Sequence, residues 1–214
     1  MRLLVTAGPT REFFDSVRFI SNPSSGRMGY ALAREAAARG HEVILISGPV
    51  ALAPPPGVRT IQVTSAQEMF AACTAAFDES DALIMTAAVS DYRPARRLPR
   101  KLKKRNQPQR ITLVPTPDIL AHLGARKGQR VVIGFAMEDH DAHQHAESKL
   151  RRKKCDAIVL NGPGNVGSDN ATIEILTAGG KWTAPQSGSK ADTAHRILDL
   201  VDQLVAARQK GRDI

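Results

Sequence analysis

The fold is decided by three neighbouring stretches: RLLVTA at residues 2–7, SSGRMGYALAREAAARG at 24–40 and EVILIS at 42–47. The first and third are short apolar runs, which are typical of buried strands. The second predicts a helix over residues 27–39, because Gly40 follows it in the position that ends many helices. A strand, a helix and a second strand in this order predict a right-handed unit with two parallel strands.

The rest of the chain continues this alternation. Further strands are predicted at residues 58–63, 82–88, 131–136 and 157–160, and helices at 65–77, 118–123, 140–154 and 189–209. The helix near residue 65 opens with a capping box formed by Ser65 and Glu68. The pattern predicts an α/β fold with a Rossmann-like, doubly wound and mostly parallel sheet, in a single domain of residues 1–214. Residues 92–114 fit no strand–helix–strand unit and are expected to leave the sheet.

Length and composition exclude several classes of protein. The chain has 214 residues, of which 42% are hydrophobic and 4% are aromatic. That apolar content is typical of a globular protein, and so few aromatic rings argue against a surface that stacks nucleic-acid bases. No apolar run approaches the roughly 20 residues of a membrane-spanning helix. Because the first residues carry no signal-peptide pattern and the two cysteines form no CxxC pair, we expect a cytoplasmic protein.

The net charge of +9 is concentrated in one segment. Nine of the 30 Lys and Arg residues lie between Arg93 and Arg110, where there is no acidic residue, and the remaining 21 are balanced by 21 acidic residues. We call residues 92–114 the basic strap. Such a segment is either an arm that binds a polyanion or a flap that closes over a phosphorylated ligand. A solvated face is the third interpretation, and the charge run alone leaves all three open.

Ligands of open α/β sheets bind beyond the carboxyl ends of the strands. The first loop there, residues 8–29, is too long for the G-x-G-x-x-G turn of a dinucleotide fold, and its glycines are spaced differently. It places Ser24, Ser25, Gly26 and Arg27 at a helix N-terminus, where free backbone N–H groups favour a di- or triphosphate. A serine-capped helix with Gly29 for close packing fits the same residues, and both interpretations stay open.

The loop after the strand at 82–88 reads AAVSDYRP, residues 87–94. Ala87 and Ala88 are small enough for a flat ring to lie against the backbone. Asp91 supplies a carboxylate of the kind that holds a ribose hydroxyl or a Mg²⁺ ion bridging phosphates. An ordinary turn or helix N-cap aspartate is the alternative.

Two further charged patterns lie in the predicted helix at 140–154. His140, His143 and His145 suggest a metal site, but only the first two have ligand spacing on a helix, so we expect histidines that face solvent. Lys149 and Lys153 lie four residues apart on one helix face. They form either a solvated stripe or a pair that reaches a phosphate.

Eight motifs stand in one order along the chain: VTAGPTRE (5–12), VRFISNPSSGRMG (17–29), SGPV (47–50), AAVSDYRP (87–94), KLKK (101–104), PTPDIL (115–120), GFAMED (134–139), and lysines 149 and 153 followed by Asp156. Together they resemble the phosphopantothenate–cysteine ligase (phosphopantothenoylcysteine synthetase) family. The resemblance extends from residue 1 to about 205, and the combination is far more specific than any one motif.

The resemblance implies a cytoplasmic homodimer that joins 4′-phosphopantothenate to L-cysteine in coenzyme A biosynthesis, driven by CTP in bacterial members. The carboxylate of phosphopantothenate attacks the α-phosphate, which gives an acyl-cytidylate and pyrophosphate, and the cysteine amine then displaces CMP. Mg²⁺ is implied as well, with Asp91 as its first candidate ligand. The chain is either a stand-alone ligase or one domain of a longer protein.

Site residues follow from the matched positions. The resemblance implies a catalytic role for Asn22, which stabilises the acyl-cytidylate, and for Lys101, which offsets charge on the reacting phosphate. Contacts to the substrate are implied for Asn22, Ala88, Lys101, Lys103 and Lys104. Contacts to the nucleotide are implied for Ser24, Ser25, Gly26, Arg27, Met85, Thr86, Ala87, Asp91, Lys101, Pro117, Asp118, Ile119, Leu120, Phe135, Lys149 and Lys153.

Departures from the family pattern are few. Arg27 stands where lysine is usual, which keeps the charge but changes its shape, and Asn161-Gly162 replaces an Asn-Asp pair. Two alternatives are weighed against the ligase. An NAD(P)-dependent Rossmann oxidoreductase is disfavoured because the G-x-G-x-x-G turn is missing. A nucleic-acid-binding module that uses the basic strap is disfavoured by the low aromatic content, and we expect no nucleic acid and no membrane among the partners.

Overall fold

The computed structural model describes residues 1–104, 106–165 and 167–210. Its helices are α1 (Arg27–Ala38), α2 (Ala66–Phe77), α3 (Ile119–Ala125), α4 (Ala142–Arg152) and α5 (Lys190–Lys210). Its strands are β1 (Arg2–Ala7), β2 (Arg11–Phe13), β3 (Phe19–Ser21), β4 (Glu42–Ser47), β5 (Arg59–Gln62), β6 (Ala82–Met85), β7 (Tyr92–Pro94), β8 (Leu113–Pro115), β9 (Val131–Met137), β10 (Ala157–Asn161), β11 (Asn170–Thr177) and β12 (Gln186–Ser189). The predicted and observed bounds of most of these elements agree within two residues.

Within the described residues, eight strands form one sheet in the order β12-β11-β10-β9-β6-β1-β4-β5. All pairs from β5 across to β10 are parallel, whereas β11 and β12 are antiparallel additions at one edge. In the centre, Leu3 of β1 lies opposite Val43 of β4 and Ala82 of β6. The predicted mostly parallel α/β sheet is confirmed.

The side chains of β1 divide the core into two halves, because successive residues of a strand point to opposite faces. Leu3 is fully buried with Tyr30 of α1 and Ile197 of α5. Leu4 is fully buried on the other face with Phe77 of α2, in a cluster to which α3 and α4 also contribute. Each large side chain buried in this way contributes about 1.5–3 kcal/mol. Helices on both faces make the sheet doubly wound, as predicted.

The strand predicted at 82–88 is shorter than expected, since β6 ends at Met85. Beyond it, the Thr86 hydroxyl donates to the backbone oxygen of Thr6 (2.5 Å), and the N–H of Ala87 donates to the Thr6 hydroxyl (3.1 Å). These side-chain bonds replace the regular ladder, and Ala88 makes an isolated bridge with Pro9. Residues 86–88 therefore border the end of the sheet and do not extend it.

The sequence patterns do not predict β11 and β12. In β11, Ala171, Ile173 and Ile175 are buried and alternate with more exposed residues, which is the period-two pattern of a strand with one face in the core. In β12, the sequence QSGS carries no apolar pattern at all. This strand forms because its backbone completes the ladder with β11.

Two short hairpins lie outside the large sheet. One pairs β2 with β3, and the other pairs β7 with β8 at the two ends of the basic strap. The strap therefore leaves the sheet as expected, although its basic residue Arg105 lies outside the described residues. No helix in the described ranges is both long enough and apolar enough to cross a membrane.

Candidate functional site

A cavity of about 870 Å³ opens at the carboxyl ends of the parallel strands. Its lining includes Met85, Met137 and Asn161, the last residues of β6, β9 and β10. Ligand sites of open α/β sheets form at this edge. The cavity brings together most residues singled out from the sequence: Asn22, Ser24, Ser25, Gly26, Arg27, Met85, Thr86, Ala87, Ala88, Asp91, Pro117, Asp118, Ile119, Leu120, Phe135, Lys149 and Lys153.

The N-terminus of α1 forms one wall of the cavity. No side chain caps this helix; its N-cap is Gly26 in the left-handed region (φ +74°), a conformation that favours glycine. The serine-cap interpretation is therefore wrong, because the Ser24 hydroxyl accepts only the N–H of Gly26 (3.4 Å). A β-carbon on Gly29 would lie 2.5 Å from that of Ala7, so the interpretation of Gly29 as a close-packing residue is confirmed. An uncapped helix N-terminus carries partial positive charge and favours an anion.

Arg27 and Lys190 concentrate positive charge beside this helix end. The Arg27 guanidinium donates to the carboxylate of Asp169 (2.5 Å) and to the backbone oxygen of Gly167 (3.0 Å), and the Lys190 ammonium donates to the oxygen of Asn165 (3.1 Å). Burial lowers the pKa of Lys190, the nearby charge of Arg27 lowers it further, and Asp169 acts in the opposite direction. A bound anion would relieve this concentration of positive charge.

Sequence reasoning missed Lys190 as a cavity residue. Its signal was present, because a lysine at the first position of a helix opposes the helix dipole and is unfavourable there without an anionic partner. Reasoning also missed Asn165 and Ile173, which line the cavity as well. Placing them needed the antiparallel β10–β11 connection that the sequence pattern did not predict.

Lys149 and Lys153 form the opposite cationic wall. Burial lowers the pKa of Lys149, and the charges of Glu138, Cys155 and Asp91 partly offset that effect. Burial lowers the pKa of Lys153 as well, and its ammonium forms an ion pair with Asp118. Both lysines line the cavity, so the solvated-stripe interpretation is wrong for this pair.

Asn22 is held at the rim by the loop that follows β6. Its amide nitrogen donates to the backbone oxygens of Ala88 (3.1 Å) and Val89 (3.3 Å). The hydroxyl of Ser21, one residue earlier, donates to the oxygen of Thr10 (2.7 Å) and closes the base of the β2–β3 hairpin. The carboxamide is therefore fixed between two loops that both follow strands of the sheet.

Asp91 lies exposed at the cavity edge, immediately before β7. No helix begins there, so the N-cap interpretation is wrong and the residue is part of a bend. In the described part of the chain, no group of three His, Cys, Asp or Glu side chains is arranged to hold a metal ion. A single carboxylate nevertheless fits Mg²⁺, which is commonly held by one or two carboxylates together with phosphate oxygens and waters.

The three histidines near α4 are partnered by carboxylates. His143 contacts Glu174 (3.0 Å), and its ring lies 4.6 Å from that of Trp182. His145 lies 3.5 Å from Glu138, and all three histidine side chains are substantially exposed. The expectation of solvent-facing histidines is confirmed.

The structure does not bring Lys101, Lys103 and Lys104 into this cavity. All three are exposed, and none of them lines the cavity wall of their own chain. The strap instead lies against the β2–β3 hairpin, where Arg97 stacks over the ring of Phe13 at 4.8 Å. This contact accounts for the basic residue at position 97.

Several large apolar side chains are exposed on the two short hairpins and the adjoining strap. They belong to the β2–β3 hairpin and to the ends of the strap: Val17, Phe19, Ile20, Tyr92, Ile111 and Leu113. The β2 and β7 strands contact each other, so the two hairpins form one surface. Exposed apolar residues concentrated on one pair of neighbouring hairpins are typical of an interaction surface.

Comparison with known proteins gives consistent matches along the chain. The model of the DNA/pantothenate metabolism flavoprotein C-terminal domain matches residues 1–205. The coenzyme A biosynthesis bifunctional protein CoaBC of Vibrio vulnificus is 44% identical over 211 residues, which are 95% of this chain and 52% of that protein. The CoaBC protein of Bacillus subtilis is 41% identical over 208 residues, 94% of this chain and 51% of that protein.

A solved structure matches nearly the whole chain. The crystal structure of the C-terminal domain of a CoaBC protein superposes with a TM-score of 0.85 at 39% identity, and the match covers 96% of both chains. By contrast, the chain spans about half the length of the curated relatives it matches.

Proposed function

The chain belongs to the family of the DNA/pantothenate metabolism flavoprotein C-terminal domain, and from this premise we propose that it is a phosphopantothenate–cysteine ligase. It joins 4′-phosphopantothenate to L-cysteine in coenzyme A biosynthesis and uses CTP as the activating nucleotide. The relatives that support this assignment are named as coenzyme A biosynthesis proteins.

The observation that carries the proposal is the distribution of charge in the cavity. Arg27 and Lys190 stand on one side and Lys149 and Lys153 on the other, and the uncapped N-terminus of α1 also lines the cavity. A nucleoside triphosphate and a phosphorylated pantothenate are both strongly anionic. Two cationic walls about one cavity are suited to two such ligands, because each wall offsets charge that would otherwise repel.

The apolar part of the cavity suits the nucleoside. Ala87 and Ala88 leave room above the ends of β1 and β6, and Phe135 and Leu120 offer flat or aliphatic contact. Asp91 is the residue that would hold Mg²⁺ at the edge of the cavity. When bound, that ion supplies charge neutralisation on the phosphate oxygens.

The reaction balances as two displacements. The carboxylate of phosphopantothenate attacks the α-phosphate of CTP, so an acyl–phosphate bond forms and pyrophosphate leaves. The cysteine amine then attacks the acyl carbon, loses a proton and releases CMP. Asn22, fixed by its bonds to Ala88 and Val89, presents an uncharged carboxamide that can donate to the developing oxyanion.

In this proposal, Lys101 acts on the phosphates of the ligands that are bound in the cavity of a neighbouring subunit. The exposed apolar surface of the two hairpins supports a homodimer, since it would be covered by a second copy. A strap that lies outside its own cavity is then available to the partner's cavity. A cytoplasmic location completes the proposal, supported by two buried, unpaired cysteines.

Two rival functions make different predictions. An NAD(P)-dependent oxidoreductase would bind a nicotinamide cofactor tightly, without need for CTP. A nucleic-acid-binding module would show affinity that falls steeply with salt and no consumption of nucleotide.

Pyrophosphate release tests the mechanism directly. We expect it to require CTP, phosphopantothenate and Mg²⁺ but not cysteine, and parallel reactions with ATP measure the base preference. Pyrophosphate that appears at the same rate without phosphopantothenate would refute the acyl-cytidylate step.

Two variants test the assigned residues. Asn22→Asp should reduce turnover far more than CTP affinity, because the residue acts on the intermediate, and unchanged turnover would remove it from the site. Lys101→Gln should nearly abolish pyrophosphate release, whereas Lys181→Gln, at an exposed lysine remote from the cavity lining, should leave it unchanged.

The oligomeric state is tested by sedimentation equilibrium. We expect a dimer for the wild type and a monomer for Phe19→Asp, because a charge on the apolar surface cannot be buried unpaired. If this variant is still a dimer, the dimer interface does not lie on the apolar surface of the two hairpins.

A further inference from the structure

A buried carboxylate ties the basic strap to the β2–β3 hairpin. Asp15 lies in the turn of that hairpin, and its side chain is fully shielded from solvent. Two of its hydrogen bonds are local, from the N–H groups of Val17 and Arg18 (both 2.7 Å). The third comes from the N–H of Leu102 in the strap (3.0 Å) and joins segments that are 87 residues apart.

Further contacts reinforce this connection. The Arg18 guanidinium donates to the backbone oxygen of Leu102 (3.1 Å) and lies 3.5 Å from the Asp15 carboxylate. Hence both polar backbone groups of Leu102 are bound by the pair Asp15–Arg18. Four residues earlier, the N–H of Leu98 donates to the oxygen of Phe14 (2.9 Å). The strap is thus fixed to the hairpin at two points, and the exposed Lys101 adjoins one of them.

The hairpin itself is anchored to the body of the protein. Glu12 of β2 is buried, and its carboxylate accepts the N–H of Ala66, the first residue of α2 (2.8 Å). At the other end, the hairpin leads through Ser21 into Asn22 at the cavity rim. One rigid unit therefore connects the cavity rim with the strap that carries Lys101.

The charge on Asp15 is maintained by its surroundings. Burial alone raises the pKa of the Asp15 carboxyl, but the hydrogen bonds from the N–H groups of Arg18, Val17 and Leu102 outweigh it and hold that pKa below its ordinary value. An ionised carboxylate accepts such bonds more strongly than a neutral amide does. A neutral isostere at position 15 would weaken the attachment of the strap while it preserves the shape of the turn.

We propose that Asp15 is a positioning residue. It holds the Lys101–Leu102 backbone in the position from which the Lys101 side chain reaches the phosphate of a ligand in the neighbouring subunit's cavity. It does not touch substrate; it acts through Leu102. This inference rests on the proposed function for the identity of the ligand that Lys101 meets, but the attachment itself can be measured without any substrate.

The first experiment is limited proteolysis of the full-length chain. Trypsin cleaves after the basic residues at 100, 101, 103 and 104. Cleavage requires local opening of the strap, in which its backbone hydrogen bonds to the hairpin are broken. In Asp15→Asn we expect cleavage there to be about tenfold faster than in wild type, since one charged hydrogen bond is weakened. The matched control is Asp81→Asn, whose carboxylate accepts the N–H of Arg2 (2.7 Å) away from the strap. Equal strap cleavage in Asp15→Asn and wild type would overturn the proposal.

The second experiment measures pyrophosphate release at varied substrate concentrations. We expect Asp15→Asn to raise the KM for phosphopantothenate or lower kcat by about fivefold to tenfold, with Asp81→Asn behaving as wild type. Faster strap cleavage without either kinetic change would overturn the positioning role. If the wild type releases no pyrophosphate, the proposed function fails, but the rate of strap cleavage still shows whether Asp15 attaches the strap to the hairpin.

Arg18→Ala covers the case in which Asp15→Asn does not fold. Arg18 is partly exposed and contacts Leu102 from outside, so its removal leaves the three backbone bonds of Asp15 in place. We expect the same selective increase in strap cleavage, to a smaller extent. An unchanged cleavage rate would contradict the attachment.

Discussion

Gly29 packs closely against β1 and also lines the cavity, so Gly29→Ala tests both the packing of α1 and the binding of the nucleotide. A β-carbon there would lie 2.5 Å from the β-carbon of Ala7, 2.7 Å from the hydroxyl of Thr86 and 2.8 Å from the backbone oxygen of Thr6. None of these atoms can move freely. Ala7 and Thr6 belong to the central strand β1, and the Thr86 hydroxyl is already bonded to Thr6.

Two opposing effects set the magnitude. Alanine in place of glycine inside a helix gains about 1 kcal/mol of helix propensity. Overpacking a closely packed site costs up to about 3 kcal/mol, and three simultaneous contacts place this site at that upper end. We therefore expect the free energy of unfolding to fall by about 2 kcal/mol, the difference of the two. For a chain of this length that corresponds to a fall in Tm of roughly 4–8 °C.

The assay is thermal and urea unfolding, with CTP binding measured by calorimetry on the same samples. Relief of the overlap must move the start of α1 away from β1, so CTP affinity should fall along with stability. Gly164→Ala is the matched control, because a β-carbon there has open space around it. A Gly29→Ala protein as stable as wild type would refute the close-packing argument, and one that is destabilised but binds CTP normally would refute the link between packing and the phosphate site.

Three other predictions follow from the charges and thiols of the structure. Asp169→Asn removes an exposed carboxylate that competes for Arg27, and such pairs are worth about 0.2–1 kcal/mol, so calorimetry should show CTP binding up to about fivefold tighter. Lys149→Met should raise the urea midpoint at pH 7 and weaken CTP binding, because burial lowers the pKa of Lys149 and makes its charge unfavourable in the free protein. Cys73 and Cys155 should react with iodoacetamide at pH 8 only after unfolding, because burial raises their pKa values to about 12 and about 11, with the charge of Asp156 adding to the second.

The sign of the pH effect at Lys149 can be checked independently. Its folded-state pKa lies below the ordinary value of 10.5, so the unfolded chain binds the proton more tightly. The free energy of unfolding should therefore increase as pH rises towards 10.5, and Lys149→Met should lose this part of the slope. Arg151→Met, on the exposed side of the same helix, should change neither the slope nor CTP affinity; an equal slope in the Lys149 and Arg151 variants would contradict the assignment.

The predictions for Asp169 and for the two cysteines each have an outcome that would contradict them. Asp81→Asn removes a carboxylate far from Arg27 and should leave CTP affinity unchanged, whereas unchanged affinity in Asp169→Asn as well would mean that the carboxylate does not compete. Rapid alkylation of the native protein would contradict the burial of the two thiols.

The alternation of apolar runs and helical segments was sufficient to predict the parallel part of the sheet. Leu3, Leu4 and Ala82 lie in apolar runs that are typical of buried strands. The start of α2 was also predictable, because Ser65 accepts the N–H of Glu68 (3.2 Å) as the capping box indicates. The antiparallel edge was beyond this reasoning, because β12 forms through backbone pairing with β11 and its side chains carry no pattern.

The cavity shows the same division. Residues of the loops after β1 and β6, such as Ser25 and Asp91, were predictable because chain order places the carboxyl ends of parallel strands at one edge. Lys190 reaches the cavity only because α5 begins where β12 ends, next to Arg27 in space and 163 positions away in the chain. Which of the basic residues serve the cavity and which stay outside was likewise decided by packing.

The sequence by itself determined the α/β class, the strand ends that meet at one edge and the segment that holds the excess charge, since each depends on local composition and chain order. Only the tertiary structure decided that Lys149 and Lys153 are partly buried in the cavity, that Arg27 faces Asp169, and that the buried carboxylate of Asp15 holds the strap at Leu102. These are contacts between segments distant in the chain, and their energies depend on distance and burial, which no local pattern encodes.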